Sequence, residues 1–252
     1  PAAAIALANA LDFERERRVA GALTAGFIPE SLREPVGHEL GLVYEPAGRD
    51  VSGGDVFGVW SGPDGGLWLL VGDVSGKGLE VAATAAMVRF FVEARAYDCD
   101  GPADVLTQVN TMLRGRLAEG LFVPAFLARI DGHRLRWCNA GHPPPQVLRA
   151  GGDGPGALGT TGLPLGVDAG TRYEERECEL GAGDVLVAAT DGLWEARRDG
   201  AQFGDARLAE VLAEYGLVLD PQSLARHLRD EAARWAPQLD DDLVVLVVRA
   251  RA

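Results

Sequence analysis

Asp55 in "SGGDVFG", Asp73 in "LLVGDVSGKG", Asp191 in "VLVAATDG", and Asp241 with Asp242 in "DDLVVLVV" each stand where an apolar run meets a turn. One aspartate in such a place is an ordinary turn former or helix cap. Several of them at strand ends are a different matter, because a sheet gathers the ends of strands from distant parts of the chain along one edge. Carboxylates brought together there repel one another unless cations neutralise them. An all-oxygen donor set selects magnesium, manganese or calcium over zinc. Gly53, Gly54 and Gly72 let backbone approach closely, and the carbonyl of Val74 offers one further oxygen. The chemistry open to such a set is that of a two-metal centre, which ionises a water and binds phosphoryl oxygens.

Other chemistries fit less well. Strand, "SGKG" turn and helix suggest a phosphate cradle, but G-x-x-x-x-G-K-[ST] needs a hydroxyl after the lysine, and Lys77 is followed by Gly78. Lys77 therefore reads as a solvated turn residue, close enough to the acids for a role at a substrate phosphate. Ser75 has no adjacent base. His38, His133, His142 and His227 lack metal-ligand spacing, and His142 reads as a residue that structures its loop. Cys99, Cys138 and Cys178 are odd in number and without C-x-x-C spacing, so neither a disulfide framework nor a zinc site is indicated, and a reducing cytoplasm is the expected compartment. A net charge of -13 excludes the basic surface that nucleic acid or an anionic membrane would call for. No apolar run approaches the roughly 20 residues that span a bilayer.

The elements that must position these acids follow from periodicity. "HELGLVYEPA", "DVFGVWSG", "GLWLLVGDV", "LFVPAFLARI", "HRLRWCNA", "TRYEERECEL", "GDVLVAAT" and "DDLVVLVVRA" read as strands bounded by Gly, Pro or Asp. Helical patterns occupy 79–97, 103–117, 205–215 and 221–235. Strands in runs rather than in alternation with helices predict an α+β fold with mostly antiparallel sheet. Residues 150–162, "AGGDGPGALGTTG", read as a flexible surface loop. Upstream, residues 3–27 carry Leu7, Leu11, Val19, Leu23 and Phe27 at multiples of four, a helix that Pro29 would end. Two units are expected: an N-terminal linker or dimerisation helix over 1–30 and one globular domain over 31–252. The chain begins at Pro1 rather than methionine, as a piece of a longer protein would.

The ordered set "SGGDVFG", "GDVSGKG", "NAGHPPPQVLR", "GLPLGV", "ATDGLWEAR" and "DDLVVLVV" resembles the SpoIIE/RsbU branch of the metal-dependent PPM serine/threonine phosphatases, over about residues 39–249. The resemblance implies a central β-sandwich of two mainly antiparallel sheets flanked by helices. It implies two Mn²⁺ or Mg²⁺ ions held by Asp55, Asp73, the Val74 carbonyl, Asp191 and Asp241, with Asp73 bridging both. It implies hydrolysis of phosphoserine or phosphothreonine on a STAS-type anti-sigma-factor antagonist, in signal transduction that frees a sigma factor. Members often carry sensory domains upstream, and the helices after "GDVSGKG" are held to act as a switch.

Some positions depart from the pattern or leave a choice. Relatives commonly read G-G-D-F-Y-D, and Gly58 stands where the second aspartate would be, which implies weaker metal binding. Asp241 is the expected ligand and Asp242 its neighbour, with Asp240 permitting a slip of one residue. Arg89, Arg95, Arg114 and Arg116 lie on the two helices after Asp73 and read as a solvated face. A non-catalytic PPM-fold binding module and a calcium-stabilised structural domain are the competing readings; the retained aspartates speak against the first and the lack of EF-hand spacing against the second.

Overall fold

Trp68, Leu69, Leu70 and Val71 are consecutive and all fully buried, which a strand permits only when both of its faces are covered. The structure, a computed structural model, describes residues 35–46, 53–76, 78–152, 155–236, 239 and 241–251, together with Leu11, Glu14, Arg15 and Val19. One five-stranded sheet has the order β2 (Asp55–Ser61), β3 (Leu67–Asp73), β4 (Ala125–Asp131), β5 (Arg134–Ala140), β8 (Arg176–Glu179). The other runs β1 (His38–Glu45), β12 (Leu243–Ala250), β9 (Val185–Ala189), β6 (Gln146–Leu148), β7 (Gly156–Ala157). Every pairing within both is antiparallel. A short ribbon, β10 (Arg197–Arg198) with β11 (Ala201–Gln202), stands apart.

Side-chain alternation divides the apolar residues among three layers. Leu69 and Val71 pack with Phe126, Leu186, Leu246 and Val248 between the sheets. Their sequence neighbours Trp68 and Leu70 face α1 (Leu79–Ala96) and α2 (Pro102–Leu113), meeting Val88, Val92, Leu106 and Val109. On the opposite flank Val245 and Val247 meet Leu212 of α4 (Gly204–Tyr215) and Leu224 and Leu228 of α5 (Pro221–Trp235). The result is the expected α+β sandwich, helix on sheet on sheet on helix. A four-residue helix, α3 (Asp191–Trp194), follows β9.

Several local expectations are revised. Residues 150–162 are not a free loop throughout, because Gly156–Ala157 pairs with β6, Leu158 is buried, and Thr161 is bonded to the backbone of Asn139. The second helix starts at Pro102 and stops at Leu113, ahead of the predicted end, with Gly115 at φ 71° just beyond. In "TRYEERECEL" only Arg176–Glu179 is strand. Of the N-terminal segment, Leu11, Glu14, Arg15 and Val19 are helical with Leu11 and Val19 exposed; the remainder of 1–34 lies outside the described residues, as do Lys77 and Asp240.

Candidate metal centre

Asp55 opens β2 and Asp73 closes β3, and the antiparallel register sets them directly opposite one another. Both point to the face that meets the second sheet, at the end where β9 and β12 turn. Asp191 begins α3 immediately after β9, and Asp241 and Asp242 lead into β12. Gly192 makes this junction possible: a Cβ there would lie 2.1 Å from the Asp242 carbonyl, so only glycine lets the start of α3 lie against the start of β12. Thr190, fully buried, closes it by donating from Oγ1 to Asp55 Oδ2 (3.1 Å) and accepting from Val244 N (2.9 Å), which ties the two sheets at the acidic edge.

The turn after Asp73 is held from both sides. Val74 N donates to Gly54 O (2.9 Å), Asp73 N to Pro124 O (3.0 Å) and Ser75 N to Phe122 O (3.0 Å). A Cβ on Gly54 would come within 2.6 Å of Asp73 Oδ1 and 3.0 Å of the Val74 carbonyl. The missing side chain thus leaves a hollow into which both oxygens project, a cradle of the kind a cation needs. Ser75 Oγ accepts from Phe122 N (3.0 Å) and serves the turn rather than a nucleophilic role.

Electrostatics binds the set together. Burial, reinforced by the charges of Asp73, Asp242 and Asp191, holds the Asp55 carboxyl well above the usual carboxylate range, against the opposing bond from Thr190. Burial and then Asp191, Asp241 and Asp242 push Asp73 up to about 8. Asp191 rises to about 6 through burial, Asp241 and Glu195. One oxygen of Asp191, Oδ1, is buried without a hydrogen-bond partner. Among the described residues no three acidic, histidine or cysteine side chains have closed to chelating distance. They stand near enough to raise one another's pKa. Raised carboxyls, an orphaned buried oxygen and the Gly54 hollow form an oxygen-only donor set that fits hard divalent cations.

Asp241 is exposed, while Asp242 is buried and accepts from the Tyr44 hydroxyl of β1 (3.2 Å). Asp241 Oδ1 accepts from Asp242 N (2.9 Å), so the two neighbours are bonded to each other at the start of β12. His142 stands apart: it is buried, bonded through Nδ1 to Pro143 O (2.7 Å), and lowered by burial to about 4, the neutral loop-structuring residue expected. Thr190, Tyr44 and Glu195 escaped the sequence reading. Thr190 alone had a signal, since it directly precedes Asp191.

The sequence profile of the Stage II sporulation protein E (SpoIIE) family matches residues 63–251. The chain belongs to the SpoIIE family. It is 24% identical over 186 residues to Phosphoserine phosphatase RsbU of Bacillus subtilis, covering 73% of this chain and 55% of that protein, so it spans about half of that relative's length. Among solved structures it resembles the RsbU and RsbW domains of a Mycobacterium tuberculosis protein, with a TM-score of 0.76, 26% identity, and coverage of 86% of this chain and 60% of the other. It also resembles the SiaA-PP2C domain of Pseudomonas aeruginosa, with a TM-score of 0.77 and 22% identity over 98% of both chains. The fold is that of the PPM (PP2C) phosphatases.

The raised acids predict a pH-dependent stability. An ordinary aspartate titrates near about 3.9, whereas Asp73 is raised to about 8. Between those values folding takes up a proton, so this group's contribution falls as pH rises from about 4 to about 8. In the presence of a chelator, Asp73→Asn is expected to raise the melting midpoint at pH 8 by roughly 2–4 °C, with a smaller gain near pH 5. Thermal melts of both proteins across that range check it; a loss of stability at pH 8 would contradict the assignment of repulsion to this site.

Proposed function

We propose that the protein is a metal-dependent serine/threonine phosphatase that removes phosphate from a regulatory protein, a STAS-type anti-sigma-factor antagonist in a cytoplasmic partner-switching pathway. The observation that carries this reading is the opposition of Asp55 and Asp73 at the sandwich edge within electrostatic range of Asp191 and Asp241, in a member of the SpoIIE family. Asp55, Asp73, the Val74 carbonyl, Asp191 and Asp241 would hold two Mn²⁺ or Mg²⁺ ions. When bound, such ions neutralise the acids, lower the pKa of a water and polarise phosphoryl oxygens.

The chain's own residues orient and exclude. Thr190 fixes the Asp55 carboxylate by one oxygen, Tyr44 fixes Asp242, and the paired bonds at Val74 and Ser75 hold the Asp73 turn. Neither Ser75 nor His142 is available as nucleophile or base, which suits direct attack by water: the P–O bond to the seryl oxygen breaks, the hydroxyl is regenerated and inorganic phosphate leaves. The substrate assignment rests on the likeness to a relative named phosphoserine phosphatase and to a solved protein that joins RsbU and RsbW domains.

Regulation would enter through α1, which starts six residues after Asp73 ends its strand. Its outer face presents Ala83, Phe90 and Ala94, with the half-buried Met87 beside them and Tyr97 just past the helix end, at alternating spacings of four and three; Phe90 is 59% and Tyr97 56% exposed. Such a seam suits a helical partner, and Leu11 and Val19 of the N-terminal segment are likewise exposed. An upstream sensor and dimerisation through residues 1–30 complete the proposal.

Phosphate release from a phosphoserine peptide should depend on manganese and fall to background in Asp73→Asn and Asp191→Asn, with Asp241→Asn more damaging than Asp242→Asn. Manganese binding without any release from phosphoserine or phosphothreonine peptides would favour a non-catalytic binding module. Fusing a parallel coiled coil in register to Pro1 is expected to raise turnover and the apparent manganese affinity. Equal rates for the chain alone, the fusion and a register-shifted fusion would rule out coupling through this segment.

A further inference from the structure

Arg89 was expected on a solvated helix face, but the fold buries it to 7% exposure between α1 and β2. Burying a guanidinium is costly unless its donors find partners, and here two of the five have them. Nε donates to the Phe57 carbonyl (2.9 Å) and Nη1 to Glu93 Oε2 (2.6 Å), one turn further along α1. The guanidinium lies 4.7 Å from the centre of the Trp60 ring, which itself stacks on Trp68 at 6.3 Å.

Space for this arrangement comes from Gly58. A Cβ at that position would lie 2.4 Å from Arg89 Nε, 2.6 Å from its guanidinium carbon and 2.7 Å from Nη2. No side chain can occupy position 58 while the guanidinium keeps its place. The bond to Phe57 also follows from the ladder. Because Val74 N bonds Gly54 O, the alternation of the antiparallel pair turns the backbone polar groups of Phe57 away from β3, toward the outer side of the strand that ends its sheet among the described residues. A fork that reaches this carbonyl from α1 ties the edge strand to the helix.

The location gives the tie a function. Phe57 lies two residues beyond Asp55, and α1 is the helix that follows the Asp73 turn. We propose that Arg89, lodged over Gly58, is a positioning residue of the metal centre: it fixes the strand that carries Asp55 against the helix downstream of Asp73 and thereby sets the affinity for the cation. This inference rests on the two-metal reading above. Glu93 acts one step further out, holding the guanidinium from the helix side.

Manganese binding to the full 252-residue chain, measured by calorimetry beside thermal melts in chelator, tests it. Arg89→Lys keeps the charge but loses the fork, and Gly58→Ala displaces the fork with one methyl group. Each is expected to weaken manganese binding about tenfold, the scale at which residues behind metal ligands act. The double variant should be no weaker than the worse single one, because both changes disable one contact. Glu93→Gln should lose less. Folded variants that bind manganese like the unsubstituted chain, or a double variant whose loss is the product of the two singles, would overturn the proposal. If Arg89→Lys does not fold, Gly58→Ala decides alone by the same criterion. An unsubstituted chain that binds no manganese would remove the metal-centre reading and this inference with it, whereas binding that is indifferent to these substitutions removes this inference only.

Discussion

Asp55 and Asp73 face each other across an antiparallel pair, and neither can carry its charge cheaply where it stands. Everything near them either maintains that opposition or makes it tolerable. The sandwich brings β9 and β12 to the same edge, so that Asp191 and Asp241 add their charges to a site already short of water. Gly192 removes the side chain that would hold α3 off β12, and Gly54 removes the one that would fill the hollow beneath Asp73 and Val74. A protein assembled for stability alone would spread these acids over its surface. Their concentration is the observation behind the proposal that this edge holds cations, and phosphoryl transfer to water is the chemistry that an oxygen-only divalent site in this fold would support.

The same constraint explains why the surrounding bonds are directional. Thr190 spends its hydroxyl on both sheets at once, to the Asp55 carboxylate and from Val244 N, so the two halves of the site cannot drift apart without breaking a buried pair. On the other side the Asp73 turn is bonded to Gly54, Phe122 and Pro124, while α1 is tied to β2 through Arg89 and Phe57. A displacement of α1 would thus be felt at both Asp55 and Asp73, which would give a partner on the exposed face of that helix the physical route to the metal centre that the proposed regulation needs.

Much of this was legible in the sequence for one reason: strands buried on both faces read as apolar runs, and the acids interrupt those runs at their ends. The layers, the principal helices and the positions of Asp55, Asp73, Asp191 and Asp241 follow from that pattern together with the family motifs. What escaped depends on contacts across the sandwich. β6 is three residues long and is defined by its pairing with β9, not by a pattern of its own. Tyr44 and Asp242 are 198 positions apart and meet only when β1 pairs with β12. Arg89 looked like a surface charge because its acceptor on β2 is a backbone carbonyl, which has no residue type to read, and because Gly58, whose missing side chain gives it space, reads in sequence only as the absence of an aspartate.

On the proposed reading, Asp55, Asp73, Asp191 and Asp241 share a pair of cations. Crystals grown with manganese and measured on both sides of its absorption edge test this most directly. Two anomalous peaks roughly 3.5–4 Å apart, bounded by Asp55, Asp73, Asp191 and Asp241, are predicted. Anomalous density only at surface carboxylates, with the Asp55–Asp73 edge empty at saturating manganese, would contradict it.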